Sequence, residues 1–135
     1  MTDVDLISAS LDLYSARVGD MTPHFYRRFF EIDPIAASLM EYSDEPMRGR
    51  MLASVLELFM SDQHLETGGY LDWELDNHLR AYGATPAMYE CFFESLLNTL
   101  AEGLGDEWTN DWRQTWQDRV SRIMTRVKAI ESRAP

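Results

Sequence analysis

Apolar residues recur along most of the chain at intervals of three and four positions, which places them on one face of successive α-helices. No segment shows the sustained alternation of apolar and polar positions that a half-buried β-strand requires. Six apolar stripes can be traced: Val4, Ile7, Leu11, Tyr14 and Val18; Phe25, Tyr26, Phe29 and Phe30; Met47, Met51, Val55, Leu58 and Phe59; Leu71, Leu75, His78, Leu79 and Tyr82; Tyr89, Phe92, Phe93, Leu96, Leu97 and Leu100; Trp112, Trp116, Val120, Ile123, Val127 and Ile130. Because each helix has one apolar face, the pattern predicts an all-α fold of six main helices around a shared core.

The boundaries between these helices are short polar segments, several of which carry a proline directly after a capping residue. The predicted N-caps are Thr22, Asp33, Asp44, Thr85 and Thr109. A short extra helical turn is predicted over residues 34–40, after Asp33. No linker or repeat interrupts the pattern, so residues 1–135 are predicted to form a single domain.

Composition places the chain among ordinary globular proteins, with 45% apolar and 26% charged residues. No apolar run is long enough to suggest a membrane span, and the N-terminal residues do not resemble a secretion signal. Cys91 is the only cysteine, so no internal disulfide can form, and we expect a soluble, cytoplasmic protein. The formal net charge of −11 would repel phosphate backbones, which argues against a nucleic-acid partner.

One histidine stands apart from the others in its surroundings. His78 lies on the apolar face of its predicted helix, between Leu75 and Leu79 and one turn before Tyr82, whereas His64 lies in a polar stretch. A buried imidazole needs a partner, because an unpaired polar group in a core is costly. A haem iron is one such partner. A hydrogen bond to a neighbouring group in the core is the more common alternative, and the helical pattern alone leaves both open.

Several stretches of the chain, in the same order along the sequence, resemble bacterial single-domain globins and the globin domain of flavohaemoglobins. These stretches are residues 25–34 (FYRRFFEIDP), 50–55 (RMLASV), 78–89 (HLRAYGATPAMY), 96–100 (LLNTL) and 104–109 (LGDEWT), with Trp116 beyond them. The resemblance extends over nearly the whole chain. It implies a globin-like fold and a bound haem b.

The same resemblance assigns roles to individual residues. His78 matches the proximal histidine that ligates the iron, and Tyr26 matches the distal tyrosine, whose hydroxyl can donate to bound oxygen. Tyr89 matches a tyrosine beneath the proximal histidine, although core packing alone explains it equally well. Glu131 falls near a glutamate that bonds this histidine in flavohaemoglobins, but an exposed residue at a helix end is the simpler interpretation. The other residues predicted to surround the haem are Phe30, Met40, Met47, Arg48, Met51, Leu52, Leu75, Leu79, Tyr82 and Phe93.

The chain departs from its relatives on the distal side of the predicted pocket. Met40 occupies a position where globins almost always have a phenylalanine packed on the haem, and methionine fills this volume less rigidly. The residue at the pocket entrance is either Met47 or Arg48, and neither is the usual glutamine or histidine. The deeper distal residue is correspondingly Met51 or Leu52.

The function expected from this resemblance is reversible binding of a diatomic gas, which is oxygen, nitric oxide or carbon monoxide. A carrier is favoured over an enzyme. A nitric oxide dioxygenase is the enzymatic alternative and would need a separate reductase as partner. A further alternative is a gas-sensing or haem-free domain that acts through a protein partner. For the oligomeric state, both a monomer and a homodimer fit the sequence.

Overall fold

The computed structural model describes residues 2–60, 77 and 83–132, and these ranges contain α-helices and no β-strand. The helices, numbered here in chain order, are α1 (Asp3–Arg17), α2 (Thr22–Ile32), α3 (Pro34–Leu39), α4 (Glu45–Phe59), α5 (Pro86–Leu104) and α6 (Asn110–Glu131). A single 3₁₀ turn, Gly105–Glu107, separates α5 from α6. Five of the six predicted main helices and the predicted short turn are therefore confirmed, and the stripe from Leu71 to Tyr82 lies outside the described residues.

Side-chain caps define most of the helix starts. Asp33, Asp44, Thr85 and Thr109 each accept a hydrogen bond from the backbone N–H three residues later, as predicted. The prediction for Thr22 is wrong, because Thr22 is already the first residue of α2 and its own N–H donates to Asp20 Oδ1 at 3.0 Å. The N-cap of α2 is Met21, which makes no side-chain capping bond, and the Asp20 carboxylate accepts the N–H of the first helical residue.

The aromatic face of α2 packs against α5 and forms the centre of the molecule. The Phe25 and Phe29 rings lie 4.5 Å and 5.2 Å from the Phe92 ring, both in edge-on geometry. Edge-on aromatic pairs of this kind contribute beyond the area they bury. Helix α2 also contacts α3 and α4, while α5 contacts α1 and α6, so α2 and α5 together join every described helix to the core.

Helix α6 contributes two large polar side chains to this core, and both make hydrogen bonds there. Trp116 is fully buried and donates from Nε1 to Ser10 Oγ of α1 at 2.9 Å. Arg119 is 1% exposed and donates from Nε to the carbonyl oxygen of Phe59 at 2.7 Å. Because buried polar groups must be satisfied, these bonds fix α6 against α1 and against the C-terminal end of α4.

Close contact between α1 and α5 requires a glycine at position 103. A Cβ added to Gly103 would lie 2.8 Å from Cδ2 of Tyr14 and overlap Cε2 of the same ring. Tyr14 is buried, so its ring has little room to move aside. At Gly49 in α4, by contrast, an added Cβ would meet only Thr22 Oγ1, at an ordinary 3.8 Å.

These two helical glycines generate a matched pair of predictions. Gly103→Ala should lower the free energy of unfolding by about 1–3 kcal/mol, because it overpacks the Tyr14 site. Gly49→Ala should raise it by about 0.5–1 kcal/mol, because alanine is the better helix former and has space there. Urea unfolding followed by circular dichroism measures both, and a stable Gly103→Ala variant would contradict the close packing of α1 on α5.

Candidate functional site

The predicted haem-pocket residues of α2, α3, α4 and α5 can be located in the structure. Tyr26 and Phe30 lie on α2, Met40 is the C-terminal cap of α3, and Met47, Arg48, Met51 and Leu52 lie on α4, with Tyr89 and Phe93 on α5. Leu75, Leu79, Tyr82 and the predicted iron ligand His78 lie outside the described residues. The structure therefore describes part of the predicted site, and the assignment of His78 remains a prediction.

Tyr26 joins α2 to α4 through its hydroxyl group. The residue is 3% exposed, and its hydroxyl donates to the carbonyl oxygen of Arg48 at 3.1 Å. Burial raises the pKa of Tyr26 to about 12, although the nearby Arg48 cation opposes this shift. The phenol therefore stays neutral and keeps its proton at physiological pH.

The Arg48 side chain lies across the aromatic face of α2. Its Cζ is 4.9 Å from the centre of the Phe30 ring and 5.9 Å from that of Tyr26, within the range of cation–π attraction. Its Nε donates to Ser43 Oγ at 2.8 Å and its Nη2 donates to the carbonyl oxygen of Met40 at 3.3 Å. Arg48 thus links three parts of the site: α2, α4 and the turn between α3 and α4.

Met40 and Ser43 give this turn a defined shape. The Ser43 hydroxyl donates to the Met40 carbonyl oxygen at 2.6 Å while also accepting from Arg48. The Met40 side chain is partly buried and packs against the core. Met40 is thus an apolar side chain that remains in contact with the interior.

Two methionines are exposed on the outward side of α4. Met47 and Met51 are 43% and 37% exposed, and their spacing of four residues puts them on the same face of the helix. Leu52 is 3% exposed and belongs to the core. Of the two candidates for the deeper distal position, Leu52 is thus a core residue and Met51 is exposed.

On α5, the predicted residues face the interior. Phe93 is buried and its ring lies 5.7 Å from the Phe59 ring, while Tyr89 is partly buried with its ring 6.3 Å from Phe93. Glu131, at the end of α6, is exposed. The described residues thus supply aromatic and aliphatic side chains from three helices.

These residues can be tested for their fit to a haem. A haem needs an apolar lining with a few placed polar groups. Met47 and Met51 present large exposed apolar side chains that a flat apolar ligand would cover, and Leu52 and Phe93 are apolar residues of the adjoining core. The described residues fit this requirement, with Tyr26 and Arg48 as the polar members. The sequence indicated both residues but not the contact between them.

Ser43 is the one residue of this cluster that the sequence did not indicate. Its hydroxyl bonds the Arg48 side chain, which lies five positions further along the chain. The only available signal was its place in the polar segment before the Asp44 cap, which is also typical of an ordinary loop serine.

Two surface clefts are formed entirely by described residues, and neither is the predicted haem site. One lies between α5 and α6 and is lined by Glu90, Phe93, Glu94, Leu97, Asn98, Gln117, Val120 and Met124. The other lies between α1, α2 and α5 and is lined by Tyr14, Val18, His24, Arg28, Thr99, Glu102 and Gly103, with an ion pair between Arg28 and Glu102. Among the predicted site residues, only Phe93 lines either cleft.

Two features are absent from the described part of the chain. Within residues 2–60, 77 and 83–132, no group of three or more His, Cys, Asp or Glu side chains is arranged to hold a metal ion. None of the helices in these ranges is long and apolar enough to cross a membrane.

Comparisons with known proteins identify the fold. No profile of a protein family matches the sequence, and no curated protein matches it either. Among solved structures, the chain is similar to the crystal structure of the protein PA3967 from Pseudomonas aeruginosa PAO1, described as structurally highly homologous to a human haemoglobin. The two share 23% sequence identity with a TM-score of 0.81, over 96% of this chain and 98% of that one. The chain therefore has a globin-like fold, as predicted.

The hydrogen bond of Tyr26 generates a stability prediction for the haem-free protein. Tyr26→Phe should lower the free energy of unfolding by about 0.5–1.5 kcal/mol, the usual worth of one hydrogen bond. The control is Tyr42→Phe, because Tyr42 is 93% exposed and its hydroxyl lies in solvent. Denaturant unfolding measures both, and equal stabilities for the two variants would mean that the bond to Arg48 contributes nothing.

Proposed function

We propose that this chain is a haem-binding globin that reversibly binds a diatomic gas, with His78 as the iron ligand. The observation that carries the proposal is the globin-like fold combined with the apolar cluster of α2, α4 and α5 at the positions predicted to surround a haem. Haem would supply the iron centre at which oxygen, nitric oxide or carbon monoxide binds.

The residues of this chain would contribute in different ways. Met47 and Met51 would cover one side of the haem and exclude water from it. Phe30 and Phe93 would form the aromatic wall behind it. Arg48 would keep the turn at Met40 closed through its bonds to Ser43 and to the Met40 carbonyl oxygen.

The proposal also covers the type of haem, the kind of activity and the location. The proposed cofactor is haem b, because the chain has no second cysteine for covalent attachment through two thiols. We propose a carrier rather than an enzyme, located in the cytoplasm. A reductase remains the partner that nitric oxide dioxygenase activity would require.

The experiment that tests the proposal is an absorption spectrum of the purified protein in the ferric and ferrous states, alongside His78→Gly. The wild type should show a haem spectrum. His78→Gly should lose it and regain it when imidazole is added, because free imidazole can replace the missing ligand. His64→Gly is the matched control and should keep the wild-type spectrum.

Two results would contradict the proposal. Failure of the wild type to take up haem would favour the haem-free alternative, in which the domain acts through a protein partner. An unchanged spectrum in His78→Gly would mean that another residue ligates the iron.

A further inference from the structure

The hydroxyl of Tyr26 already donates a hydrogen bond within the protein. A phenol has a single proton to donate. In this structure that proton goes to the carbonyl oxygen of Arg48, at 3.1 Å, from a side chain that is 3% exposed. The sequence resemblance implies that this hydroxyl can donate to bound oxygen, so the structure gives the same proton a competing acceptor.

The competing acceptor is held in place by the Arg48 side chain. Its guanidinium lies over Phe30 and Tyr26 and is bonded to Ser43 and to the carbonyl oxygen of Met40. These contacts fix the first turns of α4 against α2, which brings the Arg48 carbonyl oxygen within reach of the phenol. One residue therefore supplies both the acceptor and the contacts that position it.

The consequence concerns which gas the site would prefer. Hydrogen-bond donors in a haem pocket help to decide how well oxygen is bound, and carbon monoxide depends on them less. We propose, on the basis of the proposed function, that Arg48 is a positioning residue that engages the Tyr26 hydroxyl and thereby favours carbon monoxide over oxygen.

The test is a double-mutant cycle on the haem-loaded protein. Oxygen and carbon monoxide dissociation rates are measured by stopped flow for the wild type, Arg48→Gln, Tyr26→Phe and the double variant. Arg48→Gln should slow oxygen loss about fivefold, the worth of one ordinary hydrogen bond, because it loosens α4 and releases the hydroxyl. In the Tyr26→Phe background this slowing should disappear. Carbon monoxide loss should change by less than about twofold, because that gas depends less on a hydrogen-bond donor.

A matched control and a haem-free measurement complete the experiment. Arg50→Gln removes an exposed arginine from the same helix and should leave oxygen dissociation unchanged. In the haem-free protein, Tyr26→Phe should shift the unfolding midpoint less in the Arg48→Gln background than in the wild type, because the two groups are coupled.

The outcomes separate this inference from the proposed function. A wild type that takes up no haem removes the proposed function, while the haem-free cycle still tests the coupling. The inference is overturned if Tyr26→Phe alone speeds oxygen loss tenfold or more, since the hydroxyl would then already serve the gas. It is equally overturned if Arg48→Gln has the same effect on oxygen loss with or without the Tyr26 hydroxyl.

Discussion

The packing of the aromatic face of α2 against α5 is the contact on which the other features of this fold depend. Phe25 and Phe29 meet Phe92 edge-on, and the three rings set the position of α2 in the core. Tyr26 lies on the same short helix, so this packing also places its ring, while the Arg48 contacts hold α4 close enough for the hydroxyl to donate to the Arg48 carbonyl oxygen. The distal side of the candidate site is thus a product of core packing rather than of a mobile surface loop.

Arg48 connects this core to the candidate site. An arginine on an apolar helix face would be costly if its guanidinium were buried without partners. Here the charged group lies over two aromatic rings and bonds two oxygen acceptors of the α3–α4 turn. The same arrangement holds Met40 at the edge of the core. Arginine stacking and methionine packing together shape this edge of the core.

Local features were predictable from the sequence, and contacts between distant residues were not. Asp33 and Thr85 were found as caps because the capping bond spans only three residues. Thr22 was assigned wrongly, because Asp20 offers a stronger acceptor two positions before it. The resemblance singles out Tyr26 as a candidate site residue, but the acceptor of its hydroxyl is a backbone carbonyl 22 positions away, which no helical pattern reveals. For Arg48, the sequence left open whether the side chain reaches a ligand or the protein, because that depends on how α4 lies against α2.

The central claim is that this globin-like chain holds one haem in the apolar site between its helices. The most direct measurement is a titration of the haem-free protein with haem, followed by the rise in haem absorbance and the quenching of tryptophan fluorescence. The account predicts that both signals reach saturation together at one haem per chain. A signal that rises without saturation, or tryptophan fluorescence that does not change, would contradict a specific haem site.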